Sequence, residues 1–260
     1  MPWRLLDSWL APAPAGARAD WLREHDYAHR GMHGGDVPEN SPAAFAAALD
    51  AGCGIECDVR LSRDGRAIVF HDEALDRLTG AGGALAERDA AELTALTLGN
   101  SGQRVPSLRG LLAQVAGRAP LLIEVKTSRD LPVAPLCRAV RADLANYAGR
   151  HAVMSFDPRV AAWFHRHAPA TIRGLVVSEQ DSRAPWRDMG RHLALWRARP
   201  DFLAYDIRDL PSPFAGSQRR RGLPLLSWTV RSAPLRERAW RYADAPIAEG
   251  EGLAKPGGNA

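Results

Sequence analysis

Short apolar runs alternate with longer segments of helical period along most of this chain. Strands that alternate with helices predict a parallel sheet, because each parallel neighbour needs a crossover connection. Eight such strands in about 250 residues predict an α/β fold of the (β/α)8 TIM-type barrel class, with an open doubly wound sheet as the competing arrangement. The predicted strands are Asp26–His29, Gly54–Val59, Leu121–Lys126, Ala152–Phe156, Ile172–Val177, Phe202–Asp206, Leu223–Val230 and Pro246–Glu249. The predicted helices are Pro42–Ala51, Leu108–Ala116, Val133–Tyr147, Val160–His167, Trp186–Arg197, Ser212–Arg221 and Leu235–Tyr242.

A further apolar run, Ala67–His71, follows the second strand too closely for a parallel crossover. We therefore predict an antiparallel hairpin whose turn lies near Arg63-Asp64-Gly65-Arg66 and which brings His71 to the level of Glu56. Residues 74–106, rich in Ala, Gly and Thr, are predicted to be an insertion after strand two. No linker or repeat divides the sequence, so a single barrel domain over residues 1–260 is expected.

The mild positive charge favours a small anionic substrate over nucleic acid. The net charge is +4 and the pI about 9.3, but the arginines are scattered and the densest basic run is only Arg219-Arg220-Arg221. With 46% hydrophobic residues, the 260-residue chain can bury a large core. The sequence does not indicate an oligomeric state.

The cysteines favour a reducing compartment. Cys53, Cys57 and Cys137 are odd in number and lack the spacing of a zinc site or a disulfide framework. No window approaches the roughly 18 apolar residues that span a bilayer, and the short apolar stretch at the N-terminus is interrupted before it reaches the length of a signal peptide. These features predict a soluble, cytoplasmic protein without a transmembrane segment. The apolar residues near the N-terminus either pack on the domain or form a weak surface anchor; they are Trp3, Leu5, Leu6 and Trp9.

Three carboxylates on two predicted neighbouring strands indicate a site for a hard cation. Glu56 and Asp58 are two residues apart and therefore face the same side of their strand, and Glu124 and Lys126 repeat this spacing on the next strand. Oxygen ligands of this kind suit one divalent cation, Mg²⁺ or Ca²⁺, with Mn²⁺ as a further option. The alternative for Glu124 and Lys126 is a buried ion-pair network that only joins the strands.

Two histidines end elements at the predicted barrel mouth. His29 ends the first strand and His71 ends the hairpin, and phosphodiester cleavage needs one base and one acid. Arg30 offers a planar fork to phosphate oxygens, or else pairs with Glu39 or Asp72. Lys126 is one of only two lysines, the other being Lys255, in a chain that otherwise uses arginine. A compact ammonium in this strand therefore suggests contact with a phosphate oxygen.

The remaining candidates support these groups or line the mouth. Asn40 or Ser41 is expected to cap the helix that starts at Pro42, and Glu39 to orient His29 or Arg30. Asn40 and Asp72 are further predicted supporting residues. Phe156 and Trp228, near the ends of their strands, are predicted to wall a small organic group, although core packing explains them nearly as well. Arg77 either contacts an anion or lies in a solvated turn.

In this order, the motifs resemble the glycerophosphodiester phosphodiesterase family over about residues 26–230. The resemblance implies a TIM-type barrel that hydrolyses glycerophosphodiesters to glycerol 3-phosphate and an alcohol with a divalent cation. It implies that Glu56, Asp58 and Glu124 hold the metal, that His29 and His71 are the acid–base pair, and that Arg30 and Lys126 contact phosphate. The motifs are His29-Arg30-Gly31, Pro38-Glu39-Asn40, Glu56-Cys57-Asp58-Val59, Asp64-Gly65, Val69-Phe70-His71-Asp72, Leu75-Asp76-Arg77, Pro106-Ser107-Leu108, Glu124-Val125-Lys126, Ser155-Phe156 and Trp228-Thr229-Val230.

Two places depart from the family pattern. Arg231 stands where members often have Asn, and Ala248-Glu249-Gly250-Glu251 replaces a closing Thr-Asp-x-Pro. Because both lie near the predicted mouth, they bear on the preferred substrate more than on the chemistry. The alternatives to a glycerophosphodiesterase of glycerol and lipid metabolism are a lysophospholipase D or sphingomyelinase D-like hydrolase of lipid head groups, and a non-catalytic phosphodiester-binding barrel.

Overall fold

A computed structural model of the chain describes residues 3–128, 131–180 and 186–253, so that Lys255 lies outside the described residues. The helices are α1 (Trp3–Leu10), α2 (Pro42–Asp50), α3 (Asp76–Thr79), α4 (Ala90–Ala95), α5 (Leu108–Val115), α6 (Ala134–Leu144), α7 (Pro158–His167), α8 (Trp186–Ala198), α9 (Pro213–Arg220) and α10 (Ala233–Tyr242). The strands are β1 (Tyr27–Ala28), β2 (Gly54–Leu61), β3 (Ala67–Val69), β4 (Leu121–Val125), β5 (His151–Ser155), β6 (Ile172–Val177), β7 (Phe202–Asp206), β8 (Leu225–Val230) and β9 (Ala245–Ala248).

The fold class is that of a (β/α)8 TIM-type barrel, as the alternation of strands and helices predicts. The chain divides into two compact units, a first unit, Tyr27–His151, and a second unit, Met1–Asp26 with Ala152–Ala260. The organisation of the whole chain as a single domain stays a prediction. In the first unit, β2 pairs in parallel with both β1 and β4. In the second unit, β5 to β9 pair in parallel in sequence order.

The extra strand β3 forms the predicted antiparallel hairpin with β2. Val59 pairs with Val69 and Leu61 with Ala67. Gly65 in the turn has a φ of 78°, a left-handed conformation that favours glycine. Phe70 continues the pairing, since its backbone N–H donates to the carbonyl of Asp58 at 3.0 Å. The hairpin therefore places His71 beside the carboxyl end of β2.

The insertion at residues 74–106 folds into short helices over a small core of its own. Its buried side chains pack with Ile68 and Phe70 of the hairpin. Helix α4 begins with a capping box, in which the Asp89 side chain accepts a hydrogen bond from the Glu92 backbone N–H and the Glu92 side chain accepts one from the Asp89 backbone N–H. The residues of this core are Ile68, Phe70, Leu75, Leu85, Leu93, Leu98 and Val105. Sequence periodicity did not predict these helices because each has only four to six residues.

The N-terminal helix α1 was not predicted and is held by a buried carboxylate. Asp7 is fully buried and its two oxygens contact His192 Nδ1 (2.8 Å), Trp196 Nε1 (2.7 Å) and Gln218 Nε2 (2.8 Å). Trp3 stacks on His192, with 4.9 Å between ring centroids. Trp3 therefore packs on the second unit.

The outer face of α1 is apolar and exposed. Leu5 is 79% and Trp9 78% exposed, so that neither side chain packs on the unit as Trp3 does. In the part of the chain that the structure describes, the longest helix is α8, with 13 residues. Among the described residues, no helix is long and apolar enough to cross a bilayer.

Candidate active site

The loop between β1 and α2 folds back so that its polar residues face β2. Arg30 and Asn40 both adopt left-handed conformations, with φ of 56° and 55°, and the Asn40 N–H donates to the Arg30 carbonyl at 2.9 Å. Gly31 also has a positive φ, and a Cβ there would lie 2.8 Å from the carbonyl carbon of Ala44. Only glycine fits this approach. Ser41, and not Asn40, caps α2, because its hydroxyl accepts from the Ala44 N–H at 3.1 Å.

Three carboxylates from β2 and β4 meet in the buried interior of the first unit. Asp58 pairs directly with Glu124 across the two strands, and Glu56 lies two residues before Asp58 on the same face. Their exposed fractions are 1% for Glu56, 1% for Asp58 and 7% for Glu124. One oxygen from each lies within 4.8 Å of the others. The predicted carboxylates are thus brought together.

Two cations and an amide surround this triad. Lys126 Nζ lies 2.6 Å from Glu124 Oε1 and 3.1 Å from Asp58 Oδ1. Arg30 Nε lies 3.2 Å from Asp58 Oδ2, and the Arg30 backbone N–H donates to Glu56 Oε2 at 2.9 Å. Asn40 Nδ2 donates to Asp58 Oδ2 at 2.9 Å. Asp58 is therefore the most fully compensated of the three.

The electrostatics of the triad indicate a shortage of positive charge. Burial raises the pKa of Glu56, and the charges of Asp58 and Glu124 raise it further. Burial likewise raises the pKa of Glu124. Burial also acts to raise the pKa of Asp58, but Lys126 and Arg30 hold it well below its ordinary range. Two of the three carboxyl groups would thus gain from an additional cation.

The triad fits a divalent cation. Glu56 Oε1 is buried and accepts no hydrogen bond from any of the described residues, which is costly for a polar atom unless another ligand binds it. All the donor atoms are carboxylate oxygens, the ligands of Mg²⁺ and Ca²⁺. The three carboxylates are negative and Arg30 and Lys126 are positive, so together these five side chains have a net charge of −1. A bound dication would change this net charge to +1. A phosphodiester monoanion would balance that charge.

A continuous chain of hydrogen bonds links His71 to Arg30. His71 Nδ1 lies 2.7 Å from Asp72 Oδ1, and Asp72 Oδ2 accepts from Arg77 Nε at 2.6 Å. Arg77 Nη2 donates to Glu39 Oε1 at 2.7 Å, and the same oxygen accepts from Arg30 Nη1 at 2.8 Å. Arg30 thus forms the predicted ion pair with Glu39, while its contact with phosphate stays a prediction.

The protonation states along this chain favour a neutral imidazole beside an ionised carboxylate. Burial lowers the pKa of His71, although Asp58 and Asp72 act against this effect. Hydrogen bonds from Arg77 and His71 outweigh burial at Asp72 and lower its pKa to about 2. At neutral pH His71 is therefore mostly uncharged, and Nε2 has no hydrogen-bond partner among the described residues. This is the state that a proton acceptor requires.

The other predicted site residues are His29 in the first unit and Phe156 and Trp228 in the second. His29 directly follows β1 in the first unit and is half-buried. Phe156 and Trp228 belong to the second unit, where their rings meet edge to face at 5.3 Å and Trp228 Nε1 donates to the Ala204 carbonyl at 3.0 Å. Phe156 is 47% exposed and is therefore not a core residue. Their role in substrate binding stays a prediction.

Sequence reasoning missed the contributions of two arginines. Arg77 joins Asp72 to Glu39, and its contact with a substrate anion stays a prediction. Arg60 follows Glu56 and Asp58 on the same face of β2, and its Nε donates to the His71 carbonyl at 2.7 Å. The i, i+2, i+4 spacing of Glu56, Asp58 and Arg60 was the available signal for Arg60.

The two departures from the family pattern form a pair. Arg231 Nε donates to Glu249 Oε1 at 2.6 Å within the second unit. The replacement of an amide by Arg231 is therefore accompanied by a carboxylate that neutralises it.

A carboxylate triad flanked by two cations, with a His–Asp pair nearby on a TIM-type barrel, indicates a phosphoric diester hydrolase. The profile of the glycerophosphoryl diester phosphodiesterase family matches residues 29–247, and the chain belongs to this family. Family members depend on a divalent cation, in keeping with the triad.

A curated relative agrees with this family assignment, and two solved structures share the fold. A glycerophosphodiester phosphodiesterase of Caldanaerobacter subterraneus is 28% identical over 215 residues, which cover 78% of this chain and 84% of the relative. Among solved structures, an Oleispira antarctica phosphodiesterase in complex with the product sn-glycerol-3-phosphate has a TM-score of 0.76 at 24% identity and covers 88% of this chain and 94% of its own. The glycerophosphodiester phosphodiesterase of Thermotoga maritima has a TM-score of 0.69 at 24% identity, and the match covers 85% of this chain and 92% of the Thermotoga maritima chain. These matches do not favour the lysophospholipase D, sphingomyelinase D-like or non-catalytic alternatives.

Proposed function

We propose that the chain hydrolyses glycerophosphodiesters to sn-glycerol 3-phosphate and an alcohol, with a divalent cation and two catalytic histidines. The observation that carries the proposal is the buried triad of Glu56, Asp58 and Glu124 flanked by Lys126 and Arg30. A buried cluster of this composition is costly unless it binds a cation and an anion together. The product bound to the Oleispira antarctica neighbour supports glycerol 3-phosphate as one product.

Glu56, Asp58 and Glu124 would hold the cation, which we propose to be Mg²⁺ or Ca²⁺, with Mn²⁺ as a substitute. When bound, it would supply charge stabilisation to the phosphoryl oxygens. Lys126 and Arg30 neutralise the same oxygens from the protein side. Burial acts to lower the pKa of Lys126, but Glu124 and Asp58 raise it overall, so the ammonium stays charged at neutral pH.

His71 accepts the first proton in this proposal. Its Nδ1 is held by Asp72, which leaves Nε2 as the basic atom, and burial lowers its pKa so that it is neutral at pH 7. His29, at the end of β1, then donates a proton to the departing alcohol. Each histidine regains its starting state when the second half of the reaction reverses these roles.

The proposed nucleophile is the glycerol 2-hydroxyl of the substrate. Its oxygen forms a bond to phosphorus while the bond from phosphorus to the alcohol oxygen breaks, and the proton lost by the hydroxyl goes to His71. The alcohol leaves with the proton from His29, and a cyclic 1,2-phosphate remains. Water then attacks phosphorus and gives up a proton to His29, while the bond from phosphorus to the glycerol 2-oxygen breaks and that oxygen takes the proton back from His71, which yields glycerol 3-phosphate. The cyclic ester should appear transiently in ³¹P NMR spectra, and direct attack by water would leave no such signal.

The test of the function is an activity screen of the purified protein against glycerophosphocholine, -ethanolamine, -glycerol and -inositol, with Mg²⁺, Mn²⁺ and Ca²⁺ added after chelation. We expect release of glycerol 3-phosphate that depends on the cation. His29→Ala and His71→Ala should each lower kcat by about 10²-fold or more while metal binding persists. His151→Ala, whose Nδ1 contacts only the Gly149 carbonyl in the first unit, is the control. Full activity without metal, or in either catalytic-site variant, would refute the assignment.

We propose a cytoplasmic location and a small-molecule substrate in place of nucleic acid. Cys53, Cys57 and Cys137 are all buried and form no disulfide among the described residues, which supports a reducing compartment. Labelling intact and lysed cells with a membrane-impermeant probe, followed by detection of the tagged chain, tests the location.

A further inference from the structure

A pocket of about 250 Å³ lies next to the triad within the first unit. Its walls come from the end of β2, the insertion at residues 74–106 and the start of α6. Most of its lining is apolar and includes Leu61, Ala84, Leu85, Ala86, Val133 and Leu136. The volume corresponds to about eight water molecules, taking the roughly 30 Å³ that each occupies in the liquid. We call it the Leu85 pocket.

The Leu85 pocket is connected to the reaction centre through one side chain. Lys126 lines the pocket, and its Nζ contacts both Asp58 and Glu124. A phosphodiester whose oxygens meet Lys126 can therefore extend one of its two substituents into the pocket.

Several polar atoms at the rim of the pocket are paired with one another. Arg60 Nε donates to the His71 carbonyl at 2.7 Å, and Arg60 Nη1 lies 3.5 Å from Glu73 Oε1. Ser128 Oγ donates to the same Glu73 oxygen at 3.0 Å. These contacts engage Arg60 Nε, Ser128 Oγ and one oxygen of Glu73, while the larger part of the lining is apolar and offers no hydrogen bonds to a ligand.

We infer that the Leu85 pocket binds an apolar group on the leaving alcohol, so that the preferred glycerophosphodiesters carry a neutral hydrocarbon substituent on that side. A glycerol end with two free hydroxyls would lose its hydrogen bonds to water in such a pocket without replacement. The leaving alcohol is the other substituent of the diester, and an apolar alcohol has no such hydrogen bonds to lose. The inference rests on the proposed function, because it assumes a glycerophosphodiester bound at Lys126.

A homologous series of glycerophospho-n-alkyl esters with methyl, butyl and octyl groups tests the inference. In the wild type, kcat/KM should increase with chain length, by up to about fourfold for each methylene that becomes buried, until the pocket is filled. Ala86→Trp should fill the pocket and abolish this increase while hydrolysis of the methyl ester continues. Ala86 is exposed, so the larger side chain is compatible with folding, which the melting temperature would verify. Ala95→Trp, an exposed position of the same insertion outside the pocket, is the matched control.

Each outcome separates the inference from the function on which it rests. A steep chain-length dependence that Ala86→Trp removes and Ala95→Trp keeps supports the inference. Hydrolysis of all esters at one rate, or an equal slope in both variants, overturns it while the proposed function stands. A further substrate is the methyl ester with an octanoyl chain on its glycerol. If Ala86→Trp slows the hydrolysis of this substrate alone, the pocket binds a group on the glycerol and the inference is wrong. Failure of every protein to hydrolyse the methyl ester would refute the proposed function itself.

Discussion

Asp72 Oδ1 lies 2.7 Å from His71 Nδ1 in a pair that is further tied to Arg77. An ionised carboxylate can only accept a hydrogen bond, so it places the imidazole proton on Nδ1 and leaves the lone pair on Nε2. The orientation of His71 is thus set by residues that do not themselves touch the carboxylate triad.

Asp72→Asn should move the limb of the pH–rate profile that His71 controls to lower pH. Burial lowers the pKa of His71 and the bond from Asp72 partly offsets this, so removal of the negative charge lowers the pKa further. We expect a loss of kcat of about 10- to 100-fold at neutral pH, because the tautomer is no longer enforced. Steady-state kinetics between about pH 5 and 9 would measure both effects. The exposed Asp76→Asn is the control, and a shift toward higher pH would contradict the proposed role.

Glu56→Gln should stabilise the metal-free protein and weaken its response to metal. Burial and the charges of Asp58 and Glu124 raise the pKa of Glu56, so a neutral amide removes repulsion, and its carbonyl can still accept from the Arg30 N–H. A rise in Tm of about 2–4 °C with chelator present corresponds to about 1 kcal/mol for a chain of this size. Thermal scans with chelator measure the Tm of the metal-free protein, and scans with saturating Mg²⁺ or Ca²⁺ measure how much the metal raises it. Glu87→Gln, on the exposed surface, should leave both curves unchanged, and an equal metal response in Glu56→Gln would exclude this residue as a ligand.

The sequence predicted the strands and the carboxylate triad because both depend on local spacing. A period of two fixes which β2 side chains share a face, and the Asp64-Gly65 turn fixes the hairpin that brings in His71. Helix α1 escaped prediction because the anchor of its buried face is Asp7, a charged residue. Its partner His192 is 185 positions away, a separation that no local pattern reveals.

The hydrogen-bond network around the site was predicted only in part for the same reason. Glu39 was expected to orient His29 or Arg30, and its Oε1 accepts a hydrogen bond from Arg30 Nη1. The further link through Arg77 spans 38 positions from Glu39 and depends on how the insertion packs on the hairpin. Side chains that are half exposed, as Arg77 is, carry no burial pattern from which their partners can be inferred.

Lys126→Arg should fail to replace lysine. Lys126 Nζ lies between Glu124 and Asp58 at 2.6 Å and 3.1 Å, where the larger planar guanidinium cannot place one donor in the same position. We expect kcat/KM to fall by about 10²-fold in Lys126→Arg and further in Lys126→Met. Because the net effect of the two carboxylates raises the pKa of Lys126 against burial, this loss should not vary between about pH 5 and 9, unlike that of Asp72→Asn. A loss of activity in Lys126→Met that becomes smaller as the pH rises from 5 to 9 would contradict a permanently charged ammonium.

Asp7→Ala should destabilise the second unit by about 3 kcal/mol without changing the chemistry of the first. The substitution leaves the donors of His192, Trp196 and Gln218 unpaired in a buried site and removes the anchor of α1. Urea unfolding would show a lower midpoint at an unchanged m-value, and kcat measured well below the transition should equal that of the wild type. Leu5→Ala, on the exposed face of the same helix, should change the free energy of unfolding by less than about 0.5 kcal/mol. Equal effects of the two substitutions would mean that general packing of α1, and not the buried carboxylate, holds the helix.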